Sequence, residues 1–421
     1  MKLLSFIIPS RNNLRYLKQA YESIRKNTLY PHEICIADDA STDGTKEWVQ
    51  SIIDSGEDAN LKLYINEGPE RLGHTILYDT LVNEVSTHDR IIIFHADMYF
   101  CPMADEEIDK YLEPGTVVSL TRIEPPLHPD GPEKILMDFG IEVNEFQEQE
   151  LLSWLSSSPE LHHSKLGKNI TEGIFAPWAI YKKDFQSIGG HDPLYAPQSK
   201  EDSDIFNRFV LNGYKLIQTW KGFVYHMTCR GSRFKDGAMR NPAGQVFMKG
   251  RESSEWLAQN LRSTRNFIRK WGHMVKHDEL LHPIIPPKYD VGFMVENCDL
   301  NLLKELEPWC SNIYVDLQHS HVGKDGDVQK YIEEEQPNTQ FDLSKKILPY
   351  IQGADPKNNI LIKFDARYLT PQNFQILVEL SSILQESGEV GEMELQIFKF
   401  YIKSLDSYER ELIITKEFNT I

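Results

Sequence analysis

Ile34-Cys35-Ile36-Ala37-Asp38-Asp39-Ala40-Ser41-Thr42-Asp43-Gly44-Thr45 is the stretch that decides the fold. Four apolar residues that stop at two acids read as a strand buried on both faces of a parallel sheet. The Ser, Thr and Asp that follow are helix N-capping side chains, so a helix should open near Thr45. In an open α/β sheet, ligands sit outside the carboxyl ends of the strands. Asp38 and Asp39 therefore fall where a ligand would be met. The first strand, Leu4 to Ile8, ends in the same way, in Pro9-Ser10-Arg11-Asn12.

Working outward, strand and helix patterns alternate from residue 1 to about 120. Strands are expected at Leu4 to Ile8, Ile34 to Ala37, Leu61 to Ile65 and Arg90 to Phe94, and helices at Leu14 to Asn27, Thr45 to Ser55 and Thr75 to Val85. This βαβα order predicts a mostly parallel sheet with helices on both faces. From about 115 to 226 the pattern is irregular. Glu145 to Leu155 and Ser203 to Asn212 read as helices, and Ala176 to Tyr181 and Gly222 to Val224 as strands. Residues 227 to 285 carry 11 Lys and Arg against 5 acids, and within them 253 to 271 read as an amphipathic helix. Pro283, Pro286 and Pro287 form a linker. Beyond it lies a unit of strands (Val291 to Val295, Ile313 to Leu317, Ile360 to Phe364, Leu395 to Ile402, Leu412 to Thr415) without a catalytic motif.

At 421 residues the chain is expected to hold more than one domain. A net charge of −18 argues against broad nucleic-acid binding and against a basic membrane-facing surface. No apolar run reaches the length of a membrane span. The apolar opening, interrupted by Pro9 and Arg11, reads as a strand rather than a leader. Five scattered cysteines with no CxxC pair fit reduced thiols in a cytoplasmic protein.

Taken together, "SFIIPSRNN" and "ICIADDASTDGT" resemble the opening of the family 2 glycosyltransferases, which have the GT-A fold. Two later motifs extend the resemblance over residues 1 to about 230. Phe94-His95-Ala96-Asp97-Met98 stands at the family's DxD position, with His95 in place of the first acid. Gly189-Gly190-His191-Asp192 followed by Lys200-Glu201-Asp202-Ser203-Asp204 resembles the family's GGFD and EDxDL pair. The resemblance implies an α/β GT-A domain over 1–230; charge composition and the proline linker add a basic helical extension over 231–285, expected to pack on that domain, and a carboxy-terminal α+β accessory domain over 286–421.

The resemblance also implies roles. Pro9, Arg11, Asp38, Arg71 and Asp97 would hold a nucleotide-sugar donor, most simply a UDP-sugar, since Asp38 can accept the N3–H of uracil. Asp97 and His226 would bind a divalent cation. His95 would either join them or hydrogen-bond the ribose or a phosphate. One carboxylate with imidazole nitrogens suits Mn²⁺ better than Mg²⁺. Arg230 and Arg233 would close on the diphosphate with forked hydrogen bonds. Asp202 would be the base that deprotonates an acceptor hydroxyl in an inverting transfer, its pKa raised by the like charges of Glu201 and Asp204. An acidic helix N-terminus that only complements the dipole is the plainer account of these three acids. Trp178 and Glu201, with Trp154 and Tyr195, would meet a glycan or glycoconjugate acceptor, although Trp178, in an apolar strand, reads equally as core. The carboxy-terminal domain would serve acceptor recognition or self-association. Two rivals remain open at this level: a non-catalytic carbohydrate-binding module on the same fold, and a sugar nucleotidyltransferase. The latter is disfavoured because "PSRNNLRYL" lacks a phosphate-binding glycine loop.

Overall fold

The computed structural model describes residues 3–157, 167–230, 237–248, 253–315, 327–350 and 356–414. The chain divides into two compact units: Met1–Gln259 with His277–Pro283 and Ile414–Ile421, and Asn260–Lys276 with Ile284–Ile413.

The first unit is built on one sheet. Its strands are β1 (Leu4–Ser10), β2 (His32–Asp39), β3 (Leu61–Asn66), β4 (Arg90–Ile93), β5 (Met98–Phe100), β6 (Thr116–Glu124), β7 (Lys134–Leu136), β8 (Ile170–Thr171), β9 (Trp178–Tyr181) and β10 (Lys215–His226). The path across it runs β3-β2-β1-β4-β9-β6-β10-β5, with β7 on β6 and β8 on β10. β3, β2, β1 and β4 are mutually parallel, while β9 and β5 run antiparallel to their neighbours. This is a mixed, mostly parallel α/β sheet, as the alternating strand and helix pattern predicts.

The period-2 geometry of strands explains why these runs are apolar throughout. On β1, Phe6 and Ile8 enter one core while Ile7 enters the other; on β2, Ile34 and Ile36 separate from Cys35 and Ala37 in the same way. Helices α1 (Leu14–Asn27), α2 (Thr45–Ser55) and α4 (Ala104–Tyr111) supply Leu17, Val49 and Ile108 to the first core. Helices α3 (His74–Thr80), α6 (Lys182–Ser187) and α7 (Glu201–Leu211) supply Leu77, Phe185 and Phe209 to the second. Phe6 packs edge-on against Phe94 and Phe100 at 5.9 and 5.1 Å between ring centres, geometry worth about 0.5–1.5 kcal/mol per pair beyond burial. Helix α5 (Glu148–Ser157) covers a third, smaller cluster through Leu151.

Two expectations need correction here. Residues 115 to 226 are not irregular: β6 is a fully buried nine-residue strand, and β10 extends over twelve residues with a register shift between Thr219 and Phe223. The amphipathic helix, α8 (Ser254–Trp271), finds cover for its second half in the second unit. Its Arg269 meets Glu307 at 2.7 Å with both side chains fully buried, and Arg265 meets the same carboxylate at 3.2 Å. Basic residues of 227 to 285 are thus used internally. Arg240, on the hairpin of β11 (Ala238–Arg240) and β12 (Val246–Met248), pairs likewise with Asp138 at 2.7 Å.

The second unit holds a six-stranded sheet in the order β15-β14-β13-β16-β18-β17. Its strands are β13 (Val291–Glu296), β14 (Asn312–Val315), β15 (Ile347–Pro349), β16 (Ile360–Asp365), β17 (Gly391–Leu395) and β18 (Phe398–Ile402). The first four are parallel, with helices in the crossovers; β17 and β18 form an antiparallel hairpin on the edge. The expected long strand from 395 to 402 is therefore two strands. Of the expected strand at 412 to 415, Leu412 closes a helical turn, Ile413 and Ile414 belong to no strand, and Thr415 lies outside the described residues. Among the described residues no helix is long and apolar enough to cross a membrane.

Candidate functional site

The ends of β1, β2, β4, β6 and β10 and the start of α7 enclose a cavity of about 500 Å³ in the first unit. Pro9, Arg11, Arg71, His95, Asp97, Glu201, Asp202, His226 and Arg230 line it together, so one site gathers residues spread over more than two hundred positions.

The loops after β1 and β2 are stitched to each other. Asn12 accepts from the Thr42 amide at 2.7 Å, and Asp43 accepts from the Leu14 amide at 2.8 Å. Arg11 lies across this seam and donates to the Asp39 carbonyl at 2.6 Å. Asp39 rather than Asp38 faces the cavity. Its carboxylate takes the amides of Leu72 and Gly73, each at 2.9 Å, and the Asn66 side chain at 2.8 Å. This fixes the loop that carries Arg71, whose guanidinium donates to Gln198 at 2.8 Å. Only glycine fits at 73: φ is +79° and an added Cβ would lie 2.1 Å from the Pro197 carbonyl. Asp38 is 2% exposed, its Oδ1 has no hydrogen-bond partner among the described residues, and burial raises its pKa.

The second group forms because β5 runs antiparallel to β10 with Met98 opposite His226, and the Met227 amide donates to the Asp97 carbonyl at 3.1 Å. That register brings His226 Nε2 to 3.4 Å from Asp97 Oδ1. Ligand atoms of His95, Asp97 and His226 lie within 4.8 Å of one another. Burial disfavours the charged forms of both Asp97 and His226, but their mutual attraction prevails. Asp97 is held below the usual carboxylate range, and His226, which also bonds Glu124, is pushed up to about 9.

Asp202 opens α7 and faces the cavity. Its pKa is raised, as expected, but by desolvation; His191 and Arg122 oppose the shift. The like-charge account fails because Asp204 turns away into a fully buried ion pair with Arg208 at 2.8 Å. Glu201 lines the cavity with His74 4.0 Å away. Asp79, on α3, explains the turn before α7. It accepts from the His191 amide and ring, each at 2.9 Å, and occupies the space a Cβ on Gly190 would need.

Two aromatic expectations are overturned. Trp178 is fully buried in the core against Phe206 and Phe209, so it does not face an acceptor. Tyr195 is also fully buried. Both are large and apolar enough to be claimed by a core before a sugar. Trp154 is half-buried and packs on Phe139. Arg230 does line the cavity, but its guanidinium is already engaged, by Glu142 at 3.1 Å and the Ala238 carbonyl at 3.0 Å. Arg233 lies outside the described residues.

Sequence reading missed a charged cluster on β6 and β7. Arg122, Glu124, Glu133 and Lys134 all line the cavity. Arg122 and Lys134 each lie 3.3 Å from Glu124, and Glu133 is within 3.0 and 3.4 Å of them respectively. Glu124 also accepts from His226 Nδ1 at 2.7 Å. The available signal was Thr116-Val117-Val118-Ser119-Leu120-Thr121-Arg122-Ile123, a β-branched run of strand type. His128 and Cys229 form a further unanticipated pair on the cavity wall, Nε2 to Sγ 3.2 Å.

Residues 5–185 match the family described as Glycosyl transferase family 2. Among solved structures, GalNAc-T7 with UDP, GalNAc and Mn2+ is 15% identical; the match covers 64% of this chain and 50% of that one, with a TM-score of 0.42. The mannosyltransferase PcManGT from Pyrobaculum calidifontis, in complex with GDP-Man and Mn2+, is 18% identical over 53% of this chain and 56% of its own, TM-score 0.38. S. aureus TarS 1-349 is 18% identical over 54% and 60%, TM-score 0.36. The chain spans half to three-fifths of the length of these structures. No curated protein matches it significantly.

Proposed function

We propose that this protein is a metal-dependent inverting glycosyltransferase that moves a sugar from a nucleotide-diphospho-sugar, a UDP-sugar first, to a hydroxyl of a glycan or glycoconjugate. The observation that carries this is the joint placement of a desolvated carboxylate, Asp202, and the His95, Asp97, His226 group in one cavity of a family 2 domain.

Two imidazoles and one carboxylate fit a divalent cation of borderline character, and Mn²⁺ better than Mg²⁺. A cation bound there would neutralise charge developing on the departing nucleoside diphosphate. Asp202 takes the proton from the acceptor hydroxyl; its raised pKa brings it nearer to the range of a useful base. Pro9, Arg11 and Arg71 shape the nucleoside end of the cavity, while Asp38, buried and off its wall, is given no contact with the base. Arg230 adds positive field toward the phosphates from its anchored position, and Glu201 stands where an acceptor hydroxyl can be received. The carboxy-terminal unit is assigned to acceptor recognition or self-association.

Incubating the protein with a panel of nucleotide-sugars in Mn²⁺, in Mg²⁺ and in EDTA tests the reading. Metal-dependent release of nucleoside diphosphate from one donor supports it. Nucleotide-sugar binding without any turnover, with or without acceptors, would instead favour a binding module.

A further inference from the structure

We propose that Glu124 is a positioning residue that holds the Nδ1–H of His226 and leaves Nε2 turned to the cavity, making His226 a metal ligand through Nε2. The inference rests on the metal-dependent reading above and adds a residue to it.

The backbone sets the pair. β10 runs parallel to β6 with Tyr225 opposite Ile123, so the next residues along, His226 and Glu124, are neighbours at the strand ends. β7 runs beside β6 with Lys134 opposite Arg122. Glu124 is 2% exposed, yet two cations, Arg122 and Lys134, lie 3.3 Å from its two oxygens. A buried carboxylate flanked this way stays ionised, and an ionised carboxylate only accepts hydrogen bonds. The His226 nitrogen 2.7 Å from it must therefore donate. When a metal takes the place of the second proton, the imidazole keeps one N–H, the one given to Glu124, so the lone pair offered to the metal is on Nε2. That nitrogen is the one 3.4 Å from Asp97 Oδ1. Histidines that ligate metals commonly give their other N–H to a carboxylate, and loss of that partner typically costs about 10–100-fold in metal affinity.

A purely structural role for the cluster predicts something different: loss of folding stability with no selective effect on metal. The test uses the full chain with Glu124→Gln. Mn²⁺ affinity, titrated by the electron paramagnetic resonance of free Mn²⁺ without nucleotide, should weaken by about 10–100-fold. In the wild-type protein, ¹⁵N resonances of His226 should show a protonated Nδ1 and, on adding diamagnetic Cd²⁺, a metal-bound Nε2. This second measurement decides the matter should the variant not fold. Ligation through Nδ1, or a His226 that Cd²⁺ leaves unperturbed, overturns the proposal. Mn²⁺ binding that a folded Glu124→Gln leaves unchanged overturns this inference alone. A wild-type protein that binds neither ion overturns the metal-dependent reading along with it.

Discussion

Replacing Asp202 by Asn separates catalysis from stability. The substitution keeps the shape and the hydrogen-bonding oxygen but removes the proton acceptor. General-base assistance contributes about 10²–10⁴ in rate, so turnover should fall by that factor, about 2.7–5.4 kcal/mol in the barrier. Stability should move the other way. Burial raises the Asp202 pKa above its unfolded value, so near pH 7 the folded state carries the ion at a cost that the unfolded chain does not bear. Asn removes that cost, and the melting temperature should hold or rise. Asp204, not Asp202, forms the local ion pair with Arg208, so no buried cation is stranded. The assay is nucleoside diphosphate release and sugar transfer at saturating donor, with thermal melts alongside. Donor affinity should be near normal, and the wild-type product should have inverted anomeric configuration. Turnover within a factor of about ten of wild type, below the range expected of a lost general base, would refute the assignment. A product that retains the donor's configuration would refute the mechanism.

Asp97→Ala should abolish the metal-dependent part of UDP binding, leaving an affinity equal to that of wild type in EDTA; equilibrium titration with and without Mn²⁺ checks this. For the metal-free protein, the raised His226 pKa fixes a sign. The stabilisation from protonated His226 is fully present below its unfolded pKa of about 6.5 and is lost as pH rises through about 9. Melting temperature in EDTA should decline across that window, and His226→Gln should flatten the decline. A chain ended at residue 284 should be poorly soluble. It would strip Glu307 from fully buried Arg269, at about 3–5 kcal/mol for a broken buried pair, and uncover Trp271; a monomeric, cooperatively melting product on size exclusion and calorimetry would contradict this.

The sequence by itself determined the winding of the amino-terminal unit and the address of its site. Apolar runs such as Phe6-Ile7-Ile8 and Ile34-Cys35-Ile36-Ala37 can only be central strands, because alternate residues must enter two cores. Acids and turn residues at their ends then mark the ligand side, and Asp97, Asp202 and His226, singled out that way, line one cavity. Tertiary structure decided what local pattern does not encode. Whether Trp178 faces a sugar or a core depends on the helix packed over it, here α7 with Phe206 and Phe209. The raised pKa of Asp202 comes from burial rather than from the acids beside it in sequence, because helical geometry turns Asp204 inward to Arg208. Arg122, Glu124 and Lys134 read singly as charges on short strands. Only the pairing of β6 with β7 and β10 closes them into a cluster around His226, since an ion pair is defined by distance in space and not along the chain.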